Sequence, residues 1–174
     1  GQKLVQDNLG KVFEKSDGAV IFRGEKYNLH TRVFLNSEGL PTYEAKELGL
    51  AKLKFECYPY DESVMITGNE VASYFAVLKK VLELTFPDLA KKTKHLPHGM
   101  LRLPSGKMSS RAGSVITATS LLTEVKLAVN KKIAERGFSA AERETIAEAV
   151  AIAAIKYSIL KQSPGRDIVF DLAK

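Results

Sequence analysis

The chain has 174 residues, 45% of them hydrophobic, and a formal net charge of +6. That apolar content is enough to bury a core and excludes a disordered chain. A single cysteine, Cys57, excludes an internal disulfide framework and suits a reducing compartment; no apolar run approaches the roughly 18 residues of a membrane span and no secretory leader opens the sequence, so a cytoplasmic location is expected.

In chain order, "KLVQDNLGKVFEK" predicts a short amphipathic helix with Leu4, Val5, Val12 and Phe13 inward, closed by the Ser16-Asp17-Gly18 turn. "AVIFR" and "YNLHTRVFLN" are β-rich runs, and Gly24-Glu25-Lys26 between them predicts a hairpin. "SEGLP" breaks the chain before a helix that starts near Tyr43 with Thr42 as its cap. "SVMIT" predicts a buried strand, followed by a Gly68-Asn69 turn and a helix from about Glu70. In that helix Val71, Tyr74, Phe75, Leu78, Val81 and Leu82 form one apolar stripe, and Pro87 ends the run. This is a βα unit with its turn at the strand's C-terminal end, where ligands bind in open α/β sheets.

The last third is helical in pattern. Leu121, Leu122, Val125, Ala128, Val129 and Ile133 stripe one helix, and Gly137 is expected to end it in a left-handed conformation. "SAAE", Ser139 to Glu142, is a capping box opening a long helix with Ile146, Ala149, Val150, Ala153, Tyr157 and Leu160 in period. Pro164-Gly165 stops it, and "DIVFD" is extended. The chain thus divides into an α/β portion over 1–95, a loop region over 96–116 and a helical portion over 117–174.

Charge is concentrated around that loop. Between Lys91 and Arg136 ten basic residues face two acidic ones, a net +8 that leaves −2 for the rest of the chain. Such a field points to an anionic partner, a nucleotide or a nucleic-acid backbone. In "LPSGKMSSRAG" Gly106 and Gly113 free the backbone, Lys107 and Arg111, with Arg102 just ahead of the stretch, supply charge, and Ser109 and Ser110 supply hydrogen bonds. A loop of this composition is suited to polyphosphate, where nearby cations stabilise charge developing on a leaving pyrophosphate.

"GKMSSR" resembles the KMSKS signature of class I aminoacyl-tRNA synthetases, and "HGMLRLPSGKMSSRAGSVIT" is similar to the arginyl-tRNA synthetase family's form of it. "GLPTYEAKELGLA", "TGNEVASYF" and "AIAAIKYSILKQSPGRDIVFD" resemble segments of that family in the same order. The resemblance implies an α/β fold, the C-terminal half of a class I Rossmann-like catalytic domain, followed by an α-helical portion leading toward the anticodon-binding domain. It implies ATP- and Mg²⁺-dependent activation of arginine to arginyl-adenylate and transfer to tRNA(Arg). Lys107 matches the signature's first lysine; Ser110 stands where the second is usual, which makes Arg111 the candidate for the second cation. His98, Gly99 and Met100 match the stretch that in class I enzymes lies against adenine, largely through backbone groups, so the resemblance implies an ATP set of His98, Gly99, Met100, Lys107, Ser109 and Ser110.

A guanidinium is recognised by a planar anion and an aromatic wall. Tyr43 and Glu47, four apart on one helix, share a face and provide both. The family's usual acid at the second position is aspartate, one methylene shorter. Asn69 and Glu70, at the strand end, complete the candidate arginine-binding set, and no protein metal site is expected. The His-x-Gly-His signature of class I synthetases does not occur in these 174 residues. The expectation is therefore an internal fragment that relies on the remainder of a synthetase chain to complete adenylate synthesis. Two alternatives stay open: another class I synthetase, and a non-catalytic RNA-binding module using the basic 91–136 segment.

Overall fold

The computed structural model describes residues 1–102 and 117–169. They fall into two compact units, Gly1–Pro97 and His98–Lys174. Lys107, Ser109, Ser110 and Arg111 lie outside the described residues.

The first unit opens with helix α1 (Gln2–Asp7) and strand β1 (Glu14–Ser16). The expected longer helix is not formed. Asn8 ends α1, Gly10 follows in a left-handed conformation at φ 80°, and the chain turns into β1. Val5 and Phe13 are nonetheless buried, because the turn carries Phe13 back into the core against Phe34, 4.8 Å between ring centroids. β1 pairs antiparallel with β2 (Ala19–Phe22) through a two-residue Asp17-Gly18 turn in which both residues have positive φ. Asp-Gly is the favoured pair for such a turn because its twist matches that of the strands.

β2 pairs antiparallel with β3 (Arg32–Leu35), completing a sheet of order β1-β2-β3. Their connection is not the tight hairpin expected at Gly24-Glu25-Lys26. Gly24–Tyr27 is a turn of 3₁₀-helix that ends on Asn28 in the left-handed region, φ 56°. A Cβ on Gly24 would sit 2.2 Å from the His30 carbonyl oxygen, so glycine there serves close backbone approach.

Helix α2 (Tyr43–Cys57) begins where expected, but the Thr42 hydroxyl donates to the carbonyls of Val33 and Phe34 rather than capping the helix. It ties the start of α2 to β3. Strand β4 (Ser63–Gly68) leads through a 3₁₀ turn, Asn69–Val71, into α3 (Ala72–Thr85). The predicted stripe is the buried face: Tyr74, Phe75, Leu78, Val81 and Leu82, with Val77, pack into one core with Phe13, Phe22, Phe34, Leu35, Ala45 and Leu48. Pro87 occupies the first turn of α4 (Pro87–Lys92), where its missing N–H costs nothing. β5 (Thr93–His98) pairs with β4.

The expectation of a buried β4 is corrected. Its apolar residues split between the faces: Met65 packs on the core, whereas Val64 and Ile66 are 44% and 69% exposed. An apolar run does not say which face is covered.

In the second unit a short strand β6 (Leu101–Arg102) pairs parallel with β7 (Ile168–Val169). Helix α5 (Ala118–Ile133) is capped by the Thr117 side chain, which accepts from the Ser120 N–H. It packs on α6 (Ala140–Leu160), opened by the predicted Ser139–Glu142 capping box. Two expectations fail here. Gly137 does not take a positive φ; α5 ends at Ile133 with Ala134 still right-handed. And α6 turns a different face inward, with Ala147 and Ala151 fully buried while Val150, Tyr157 and Leu160 are exposed. α6 is apolar nearly all round, so its period does not single out a face. Among the described residues no helix is long and apolar enough to cross a membrane.

Candidate functional site

The N-terminal parts of α2 and α3 and the start of β3 bring five polar or charged side chains, Tyr43, Glu44, Glu47, Tyr74 and Arg32, together in the first unit. Tyr43, at the start of α2, is largely exposed, and its ring tilts against that of Tyr74 with centroids 5.4 Å apart. Tyr74 is held edge-on by Phe75 at 5.0 Å, and the Arg32 guanidinium lies 5.8 Å from its ring centroid, a cation–π arrangement. Arg32 also pairs with Glu44 at 3.5 Å. One guanidinium thus already rests on the acid and aromatic chemistry of this corner.

Glu47, one turn beyond Tyr43, is half-buried, and among the described residues its carboxylate has no ion pair or hydrogen bond. Burial, then the neighbouring Glu47 and Glu44 carboxylates, pushes the Tyr74 hydroxyl well above its ordinary range, so it remains a neutral O–H at any physiological pH. That hydroxyl is buried without a hydrogen-bond partner among the described residues.

Asn69 and Glu70 sit at the C-terminal end of β4 as expected from the βα unit. Glu70 folds back along its own backbone: a Cβ on Gly68 would meet the Glu70 carboxylate at 2.1 Å. Nearby, Thr67 Oγ1 lies 2.8 Å from His95 Nε2, and the His95 ring stacks on Phe75 at 4.1 Å. Burial lowers the His95 pKa.

The adenine-side candidates lie in the second unit. His98 Nδ1 is 2.9 Å from the Gly99 carbonyl oxygen. Gly99 is buried so tightly that an added Cβ would stand 1.7 Å from the Arg166 carbonyl oxygen. The Met100 N–H donates to Asp167 Oδ1 at 2.9 Å, the Ile168 N–H donates to the Met100 carbonyl at 2.9 Å, and Arg102 pairs with the other Asp167 oxygen. The backbone N–H and carbonyl of Met100 are thus both already hydrogen-bonded within this unit. Among the described residues no three His, Cys, Asp or Glu gather as metal ligands.

Of the residues singled out from sequence, Tyr43 and Glu47 share a face, and His98, Gly99 and Met100 share one strand turn. Tyr74, Arg32 and Asp167 were missed. In the sequence Tyr74 stands only as part of an apolar stripe, although a tyrosine in such a stripe carries a polar tip that needs a partner.

Comparison with known proteins decides the family. The profile described as tRNA synthetases class I (R), catalytic domain, matches residues 3–172. The chain belongs to that family. Arginine–tRNA ligase of Bacteroides fragilis is 33% identical over 178 residues, covering 98% of this chain and 30% of the relative. Arginine–tRNA ligase of Treponema pallidum is 33% identical over 174 residues with the same coverage. This class I synthetase chain spans about 30% of the length of the curated relatives it matches. Its fold is similar to Thermus thermophilus arginyl-tRNA synthetase, with a TM-score of 0.74 at 21% identity over 97% of this chain and 34% of that one. Plasmodium falciparum arginyl-tRNA synthetase gives 0.73 at 17% identity, over 98% of this chain and 28% of that one.

Proposed function

We propose that this chain carries the arginine-binding corner and the KMSKS-like loop of an arginine–tRNA ligase, which activates arginine with ATP to arginyl-adenylate and transfers it to tRNA(Arg). The observation that carries the reading is the Glu47 carboxylate, free of any ion pair among the described residues and one helical turn from Tyr43. A carboxylate without a partner beside an aromatic wall is the complement of a guanidinium. The arginine α-carboxylate attacks the ATP α-phosphate and pyrophosphate leaves. Lys107, Ser109, Ser110 and Arg111 are assigned to the triphosphate through the loop's likeness to the KMSKS signature. His98, Gly99 and Met100 are assigned to the base. Mg²⁺ fits this scheme as an ion held chiefly by triphosphate oxygens and water. Cytoplasmic location and tRNA(Arg) as partner belong to the same proposal.

The test is amino-acid-dependent ATP–pyrophosphate exchange by the natural protein containing these residues. Exchange stimulated by arginine and not by lysine or glutamate is expected. Stimulation by lysine or glutamate instead assigns the chain to another class I synthetase and overturns the arginine reading.

A further inference from the structure

We propose that the cleft between the turn over residues 8–13 and the 3₁₀ turn Gly24–Tyr27 binds a phosphate group of an RNA backbone, with Lys11, Arg23 and Lys26 as its cations. The cleft shares no residue with the arginine corner, and only the choice of RNA as the polyanion rests on the function proposed above.

The cleft has an apolar floor and a basic rim. Phe13 and Phe22 line it and are buried, while Tyr27 stacks on Phe22, with centroids 5.7 Å apart and rings 5° from parallel, and stands 40% exposed as a wall. Lys11, Arg23 and Lys26 line the same cavity and are exposed. Among the described residues neither Lys11 nor Lys26 has an ion pair. Glu14, the one acid in the lining, is committed to Arg23 Nε, which leaves both terminal nitrogens of that guanidinium as donors. Glu25, next to Lys26 in the chain, is outside the lining and accepts from the Thr31 hydroxyl.

Size and charge select the ligand. The cavity is about 120 Å³, well below the roughly 300–1,000 Å³ of a site that encloses a small organic molecule. It suits one oxyanion group of a larger ligand rather than a whole nucleotide or amino acid. A free anion held by exposed lysines is weakly bound, because solvent and salt screen such pairs. A polymer of phosphates meets several basic points at once and releases counterions at each. A second basic point adjoins the first: Tyr27 also lines a hollow with Lys79 and Lys80, and Lys80 lies 4.9 Å over its ring. Lys80 pairs with Glu83 at 2.9 Å, whereas Lys79 has no ion pair among the described residues. A phosphate backbone crossing Tyr27 therefore finds cations on both sides. Charge counted along the sequence hides this surface, since outside 91–136 the chain sums to −2. Folding exposes it by pairing Glu14 with Arg23 and bringing Lys11 to the cavity that holds Lys26.

The experiment is the double substitution Lys11→Gln and Lys26→Gln in the natural protein, with tRNA(Arg) binding read by filter retention over a series of salt concentrations. The Kd is expected to rise roughly tenfold near physiological salt, and the slope of log affinity against log salt to flatten by about one. Thermal melting and binding of an arginyl-adenylate analogue are expected to stay at wild-type values, because both lysines are exposed and outside the corner. Lys11→Arg with Lys26→Arg, which keeps the charge, should bind tRNA as wild type does. Lys3→Gln with Lys52→Gln removes the same charge from a hollow that also holds Asp7 and Glu56, and should change the Kd by less than about twofold. A cleft variant within about twofold of wild type, an unchanged salt slope, or an equal loss in the Lys3 and Lys52 pair overturns the proposal. Calorimetric titration with inorganic phosphate separates the sources of the anion. Saturable phosphate binding that the cleft variant loses while its tRNA affinity holds assigns the site to a free anion and overturns the RNA reading. Wild type that does not bind tRNA overturns the partner in the proposed function; tRNA-binding wild type with an indifferent cleft variant overturns only the cleft.

Discussion

The acid and aromatic corner at the start of α2 and the clip joining β6 to β7 use similar side chains to opposite ends. In the clip the charges are matched: Asp167 accepts from the Met100 amide and from Arg102, and Gly99 is pressed onto the Arg166 carbonyl. The clip fixes the backbone just ahead of the loop region. In the corner, Arg32 and Glu44 satisfy each other, but the Glu47 carboxylate finds no partner among the described residues. Satisfied polar groups hold a chain in place, whereas an unsatisfied carboxylate in a half-buried corner costs stability and is retained where a ligand completes it.

Substitutions in the two regions should therefore separate binding from stability. Glu47→Gln is expected to weaken binding of an arginyl-adenylate analogue on the order of a hundredfold while leaving the melting temperature unchanged, as calorimetric titration and a thermal scan will report. Gly99→Ala should do the reverse. Its methyl group has to displace the Arg166 backbone, and a loss of about 2 kcal/mol in urea unfolding is expected, with the Tyr43 and Glu47 corner unaffected. Asp167→Ala should cost about 1 kcal/mol by the same measurement, because the Arg102 pair is partly exposed and screened.

The smallest expected effect is a pH dependence. His95 has a depressed pKa in the folded chain, so below the unfolded value of about 6.5 the unfolded state binds the proton more readily. His95 thus contributes stability above pH about 6.5 that is lost as pH falls through the folded value. Urea midpoints between pH 8 and pH 5 should show this loss, and His95→Asn should flatten it.

Much of this arrangement was legible in the sequence wherever one short-range rule dominated. The α3 stripe, the Ser139–Glu142 box, the Gly68-Asn69 step after β4 and the Tyr43–Glu47 spacing are each contained within a few turns of chain, and each is found. Competing local signals produced the errors near the start. Asp17-Gly18 is the stronger hairpin pair, yet Gly24-Glu25-Lys26 sits more symmetrically between the β-rich runs. On α6 the pattern itself is ambiguous, because alanines, isoleucines and Val150 surround the helix and both faces satisfy the period. The Asp167 clip spans 67 residues to Met100, and no local rule reports a contact at that separation. Tyr74 is legible as core, and the unpartnered state of its hydroxyl among the described residues is visible only in three dimensions.

The most direct test of the central claim is calorimetric titration of the natural protein with nonhydrolysable arginyl-, lysyl- and glutamyl-adenylate analogues, repeated on Glu47→Gln. Saturable binding that favours the arginyl analogue, with the preference lost in Glu47→Gln, is the expected result. Equal binding of all three analogues, or an arginine preference that survives Glu47→Gln, would contradict the assignment of this corner to the arginine side chain.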